Sequence, residues 1–104
     1  MAGSDWVWSI AAAEANLRRH GVSFQLAVRV FNDPLSLSRC ELSSGEAVWQ
    51  TIGQPDSATP SVLLVVQSLG LSPDDRGRIV GARLATPTER NAYEEGRHGT
   101  ALED

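Results

Sequence analysis

The chain has 104 residues, of which 41% are hydrophobic and 21% are charged. These values are typical of one compact soluble domain and exclude a disordered chain, and no apolar run is long enough to cross a bilayer. Thirteen acids against nine bases, all of them arginine, give a net charge of -4, which disfavours nucleic-acid binding except through a local arginine cluster. One cysteine excludes an internal disulfide, and without a signal-peptide pattern the chain is expected in the cytoplasm.

The first part of the chain predicts a short leading strand followed by a helix. Residues 6–8 (WVW) favour an extended segment, and Ser9 is a suitable N-cap for the alanine-rich residues 10–19. Gly21 is typical of the left-handed residue that follows a helix. The first helix is therefore expected to end within the motif NLRRHG.

A second helix is predicted directly after Ser23. Apolar residues recur there at helical spacing and indicate one buried face, formed by Phe24, Ala27, Val28 and Phe31. Residues 32–34 (NDP) are expected to stop this helix.

The middle of the chain changes to the pattern of strands. Four strands are predicted, over residues 35–42, 46–53, 61–67 and 78–84. The third is apolar almost throughout, so we expect it to be covered on both faces. Turns around residues 43–45 and 68–77 would join neighbouring strands, which predicts a four-stranded, mostly antiparallel sheet.

A final helix is predicted from the sequence TPTER. Thr86 is its N-cap, Pro87 takes the first helical position, and Glu89 completes a capping box. The helix is expected to end before a polar tail at residues 96–104. With two helices before the sheet and one after it, the sequence predicts a single α+β domain over residues 1–95.

Two polar residues of the first helix are candidates for a site. Asn16 and His20 lie four residues apart and can face the same way. A histidine in the last turn also gains about 0.3–1 kcal/mol from the helix dipole. His20 is therefore also typical of a residue that only stabilises the end of a helix. On the residues alone both interpretations stay open, with the structural one the more common.

Strand residues supply the other candidates. Arg76, Arg78 and Arg83 form a cluster that suits a phosphate, a solvated face or ion pairs with acids of the final helix. Alternation places Arg78 and Arg83 on opposite sheet faces unless Gly81 marks a β-bulge. Glu46 begins the second strand and suits either a general base or an exposed strand end.

Metal, thiol and nucleotide chemistry have little support in the sequence. Cys40 has no activating neighbour, and His98 lies too far along the chain from His20 to suggest a metal site. No nucleotide-binding loop or nucleophile elbow is present. We therefore expect neither a metal ion nor another cofactor.

Several segments follow one another in an order that is specific as a set. They are Trp8, residues 16–24 (NLRRHGVSF), 30–35 (VFNDPL), Glu46 with Gly53, the apolar strand 61–66 and residues 78–96. Together they resemble the BrnT family of bacterial toxins over roughly residues 6–96. The resemblance implies a RelE-like ribonuclease toxin of a type II toxin–antitoxin system, acting on RNA. It also implies a BrnA-type ribbon-helix-helix antitoxin, through which the toxin would reach DNA indirectly.

The resemblance gives the polar candidates a common purpose. Cleavage of RNA through its 2′-hydroxyl needs a proton acceptor, a proton donor for the leaving oxygen and cations on the phosphate, but no metal ion. The implied catalytic residues are His20, Glu46 and Arg83, and the implied substrate-binding residues are Asn16 and Arg78.

The chain departs from the family pattern at four positions. Ala12 stands where members of the family usually carry a lysine, and Val48 where they usually carry an arginine. Gly81 stands at the serine of their motif, and Leu84 at a basic position that is often arginine. Loss of one preorganised charge from such a site typically costs about 10²–10³ in rate, so the resemblance implies an attenuated ribonuclease. The alternative is a catalytically degenerate module that keeps the toxin fold and binds an antitoxin-like protein or forms a homodimer. Direct DNA binding lacks a recognition motif.

Overall fold

The computed structural model describes residues 7–43, 46–56, 58, 61–68 and 78–96. In this part of the chain the elements are α1 (Ile10–His20), α2 (Phe24–Val28), β1 (Leu37–Ser43), β2 (Glu46–Gly53), β3 (Leu63–Ser68), β4 (Arg78–Leu84) and α3 (Pro87–Glu95). This order confirms the predicted α+β class, with two helices before the sheet and one after it. Trp6, most of the two predicted strand-joining turns and the tail from residue 97 onward, with His98, lie outside the described residues.

Side-chain caps begin the helices where the sequence predicts them. The Ser9 hydroxyl accepts a hydrogen bond from the Ala12 amide at 3.1 Å, and the Thr86 and Glu89 side chains form the complete capping box of α3. Gly21 ends α1 in the left-handed region at φ 71°, a conformation that glycine adopts without steric cost. The predictions for α1 and α3 are confirmed.

The second helix is shorter and tighter than its apolar pattern predicts. Capped by Ser23, α2 gives way to a 3₁₀ turn at Arg29–Asn32. Phe24, Ala27 and Val30 are therefore the fully buried side chains, at a spacing of three residues, whereas Val28 and Phe31 are only partly buried. The α-helical spacing predicted the first two buried positions correctly and missed the third.

The four strands form one antiparallel sheet in the order β1-β2-β3-β4. β3 is buried on both faces, as its continuous apolar sequence predicts. Leu63 and Val65 point to one face, where α1 and α2 supply the core, and Leu64 points to the other, where Tyr93 of α3 packs. We call these the α1–α2 face and the α3 face.

Asp33 joins the segment after α2 to both β2 and α3. Its Oδ2 accepts hydrogen bonds from the Gln54 amide at 2.8 Å and the Tyr93 hydroxyl at 2.7 Å, and its Oδ1 accepts one from the Leu35 amide. Burial raises the pKa of Asp33, but these three hydrogen bonds outweigh it and the net pKa lies below the usual value. The carboxylate therefore holds three separate segments together. Among the described residues no helix is long and apolar enough to cross a membrane.

Candidate active site

Asn16 lies on the buried side of α1, against the outer edge of β4. Its Nδ2 donates to the carbonyl oxygens of Val22 at 2.9 Å and Ala82 at 2.8 Å, and its Oδ1 accepts from the Ala82 amide at 3.1 Å. The side-chain amide thus pairs with Ala82 as a neighbouring strand would. Because both donor hydrogens and the acceptor are engaged, the Asn16 amide fixes α1 to the sheet.

A groove of about 620 Å³ opens beside this contact. Its lining is Ala12, Ala15, Asn16, Arg18, Arg19, His20 and Val80. His20 is exposed in the last turn of α1, together with Arg18 and Arg19, where the helix dipole favours cations. Arg18 and Arg19 were not among the predicted site residues, although they precede His20 directly in the motif NLRRH. The groove is therefore a cationic surface that also carries one imidazole.

A β-bulge in β4 decides which way its side chains point. Val66 of β3 pairs with Gly81 and the next residue, Gln67, pairs with Ile79, so Val80 is the extra residue. Ile79 and Ala82 consequently both face the α1–α2 core, and Val80 is exposed at the groove. A β-bulge, which the sequence suggested at Gly81, is therefore present, and its extra residue lies one position before Gly81.

The bulge also brings Arg78 and Arg83 to the same face of the sheet. Arg83 pairs with Leu64 in the strand register and makes two hydrogen bonds to Glu89 of α3, at 2.9 and 3.0 Å. The hydrogen bonds to Glu89 raise the pKa of Arg83. Burial raises the pKa of Glu89, but the hydrogen bonds from Arg83 and Thr86 outweigh burial, so the net pKa of Glu89 lies below its usual value. An ion pair with the final helix was one of the expected alternatives for this arginine.

Arg78 and Glu46 occupy the starts of their strands. Arg78 is exposed, opposite Ser68 in the register, and pairs with no carboxylate in the described part of the chain. Glu46 is the first residue of β2 and pairs with Ser43; its side chain lies outside what the structure describes.

Four of the five candidates therefore fall on two neighbouring surfaces, and the side chain of Glu46 lies outside the described part of the structure. The groove is lined by Asn16 and His20 but by neither Arg78 nor Arg83, which belong to the α3 face. The structure thus brings together two candidates at the β4 edge and two on the sheet. Within the described residues no group of three histidine, cysteine or acidic side chains could hold a metal ion.

The sequence of the chain matches a known protein family. The model of the family described as the ribonuclease toxin BrnT of type II toxin–antitoxin systems matches residues 8–89, from the segment before α1 into α3. This chain belongs to the BrnT family. A search of curated proteins found no match. Membership makes the protein a ribonuclease toxin of a type II system, with an antitoxin partner and an RNA target.

The four departures from the BrnT pattern can now be located. Ala12 lines the groove one turn before Asn16, so a lysine there would add a cation to the groove that His20 also lines. Val48 pairs with Ser68, which pairs with Arg78, so an arginine there would join the same row on the α3 face. At Gly81 a Cβ would meet only Asn16 Oδ1, at 3.8 Å, so the missing serine is not excluded by space. Leu84 is exposed at the end of β4.

Proposed function

We propose that this BrnT protein cleaves RNA without a metal ion and that its activity is attenuated by the two missing cations. The observation that carries the proposal is the groove at the β4 edge, where His20 stands beside Arg18 and Arg19. Arginine binds phosphate through a planar, permanently charged fork, and histidine is the side chain that most often serves as a general acid or base. The groove therefore supplies a candidate for one of the two proton transfers together with cations for the phosphate.

The chemistry needs no group beyond side chains and substrate. One residue takes the proton of the ribose 2′-hydroxyl, whose oxygen then forms a bond to the adjacent phosphorus. The bond from phosphorus to the 5′-oxygen breaks, and a second residue gives that oxygen a proton. We assign these proton transfers to His20 and Glu46.

Cations complete the proposed site. Arg78 and Arg83 would approach the phosphate from the α3 face and stabilise the charge that develops on its oxygens. Arg83 would have to share its guanidinium with Glu89, which already binds two of its nitrogens. Asn16 contributes to the site by holding α1, and thus His20, against Ala82.

An RNA cleavage assay in the presence of a chelator tests the proposal. The natural protein should cleave RNA, and His20→Ala should abolish the cleavage, because removing a general acid or base typically costs about 10²–10⁴ in rate. His98→Ala is the matched control, since it removes the only other histidine of the chain, and should leave the rate unchanged. Equal losses in both variants would contradict the assignment of His20, and inhibition by the chelator would contradict metal independence.

A second candidate function is a toxin-fold module that has lost catalysis. The observation that favours it is Arg83, whose guanidinium is bound by Glu89 instead of standing open to a phosphate. Such a module would bind an antitoxin-like protein or a second copy of itself. It predicts that the natural protein cleaves no RNA and does not arrest growth, whereas Ala12→Lys with Val48→Arg acquires cleavage.

The partners follow from the proposed activity. We infer a BrnA-type ribbon-helix-helix antitoxin that neutralises the ribonuclease and gives it indirect access to DNA, and a cytoplasmic location, where RNA and such an antitoxin meet. We also propose a homodimer. Co-expression with the protein encoded by a neighbouring short reading frame tests the antitoxin: recovery of growth supports it, and persistent arrest with no complex formed contradicts it.

A further inference from the structure

The two edge strands of the sheet differ in whether other segments pair with their outer backbone groups. At the β4 edge, the Ile79 amide donates to the Val7 carbonyl at 3.0 Å, and the Asn16 side chain pairs with both backbone groups of Ala82. At the opposite edge, β1 pairs within the described residues with β2 alone, over all seven of its residues. A strand edge of this length presents a row of backbone donors and acceptors that can pair with another strand.

The sequence of β1 is self-complementary about its centre. Cys40 is the middle residue of Leu37–Ser43 and is exposed. Arg39 and Glu41 flank it with opposite charges and lie on the same sheet face, where they form an ion pair of 3.2 Å. Reversing the strand therefore exchanges a positive for a negative position and leaves the cysteine in place.

We propose that β1 pairs antiparallel with β1 of a second copy of this chain, about a twofold axis at Cys40. This register pairs every residue of the strand. It sets Arg39 opposite Glu41 of the second copy, and Glu41 opposite Arg39 of the second copy, on one face. Directly opposed residues in an antiparallel pair have Cβ atoms about 4.5–5.5 Å apart, close enough for both ion pairs to form.

Neighbouring registers are disfavoured by the same two charges. In a symmetric antiparallel pair the axis passes between two copies of one residue, so the next registers are centred on Arg39 or on Glu41. The first sets Arg39 against its own copy, and the second sets Glu41 against its own copy. Like charges directly opposite each other are destabilising, and both registers also leave residues unpaired. The charges thus select one alignment.

The dimer would be one continuous eight-stranded sheet. Its axis lies at the β1 edge, whereas the groove with His20 lies at the β4 edge, so both grooves of the dimer stay open. The proposal does not depend on RNA cleavage, because it uses no residue of the proposed active site.

Charge exchange tests the ion pairs. Light scattering on the full chain should give twice the monomer mass of 11.2 kDa. Arg39→Glu and Glu41→Arg should each weaken the dimer by about tenfold or more, since each variant turns two attractive pairs into repulsive ones. The double variant Arg39→Glu, Glu41→Arg should restore the dimer, because it again sets opposite charges together. Circular dichroism of each variant checks that the monomer still folds.

Disulfide formation tests the register in the natural protein. Opposed Cα atoms in an antiparallel pair are about 4.5–5.5 Å apart, within the range that a disulfide spans. Mild oxidation should therefore cross-link Cys40 to Cys40 of the second copy. The control is Ser38→Cys with Cys40→Ser, because copies of residue 38 would lie four residues apart along the pair, about 13 Å, and should not cross-link.

Four outcomes of these two experiments would overturn the proposal. They are a monomer at every concentration, a dimer indifferent to the charge reversals, no restoration in the double variant, and equal cross-linking of the control. A monomer whose β1 edge becomes protected only when an antitoxin is added would also overturn it, since that edge would then serve a different protein.

Discussion

Every hydrogen-bonding group of the Asn16 side-chain amide that is engaged binds a backbone group, so Asn16 has a structural role. Replacing it with alanine would leave the Val22 carbonyl and both backbone groups of Ala82 without their partner. We expect Asn16→Ala to lower the free energy of unfolding by about 2–3 kcal/mol, measured by urea denaturation. Asn91→Ala, at an exposed position of α3, should change it by less than about 0.5 kcal/mol. An Asn16→Ala protein of natural stability that fails only to bind RNA would contradict this role.

Tyr93 is the only tyrosine of the chain, so its ionisation can be followed without interference. Burial and the hydrogen bond to Asp33 raise its pKa to about 12. Because the folded pKa is raised, the stabilising contribution is complete below pH of about 10 and is lost as the pH rises through about 12. We expect an absorbance midpoint near 12 that falls towards about 10 in denaturant. In Asp33→Asn it should fall by less, because the variant removes the carboxylate but leaves Tyr93 buried. Asp56→Asn is the control and should leave it unchanged; a natural midpoint near 10 would contradict the contact.

Elements whose boundaries depend on nearby residues could be predicted from the sequence, and elements set by distant contacts could not. The caps Ser9, Ser23 and Thr86 act within three residues along the chain, which is why three helix starts were predicted correctly. The switch from α2 to a 3₁₀ turn leaves no such local signal. The bulge at Val80 is similar: glycine hinted at an irregularity, but only the pairing with β3 locates it.

The end of β2 approaches the 3₁₀ turn closely at Gly53. A Cβ there would lie 2.9 Å from Cγ1 of Val30, which is fully buried, and 3.1 Å from Ser36 Cβ. We therefore expect Gly53→Ala to lower the melting temperature and to cost about 1–3 kcal/mol by overpacking. Gly81→Ala is the matched control, since its Cβ would meet only Asn16 Oδ1 at 3.8 Å. Equal stability of the two variants would show that the β2 end can move away from the turn.

At the scale of the whole molecule, the arrangement of the candidate residues depends on contacts that the sequence does not show. His20 and Asn16 share a helix, so their common groove follows from helical spacing. The position of Arg78 and Arg83 on one face required the register of β4, and the pairing of Arg83 with Glu89 required the packing of α3 on the sheet. Contacts between distant segments were thus the missing information.

The net charge of -4 opposes RNA binding, and cations at the positions of Ala12 and Val48 would reduce it. Ala12→Lys with Val48→Arg reduces it by one unit per substitution and adds the cations at the groove and beside Arg78. We expect cleavage to rise by about 10²–10³ and the salt dependence of single-stranded RNA binding to steepen by about 0.7 per added phosphate contact. Ala11→Lys with Gln25→Arg makes the same charge change at exposed positions outside the groove. If both double variants gain equally, total charge explains the effect and the proposed site does not.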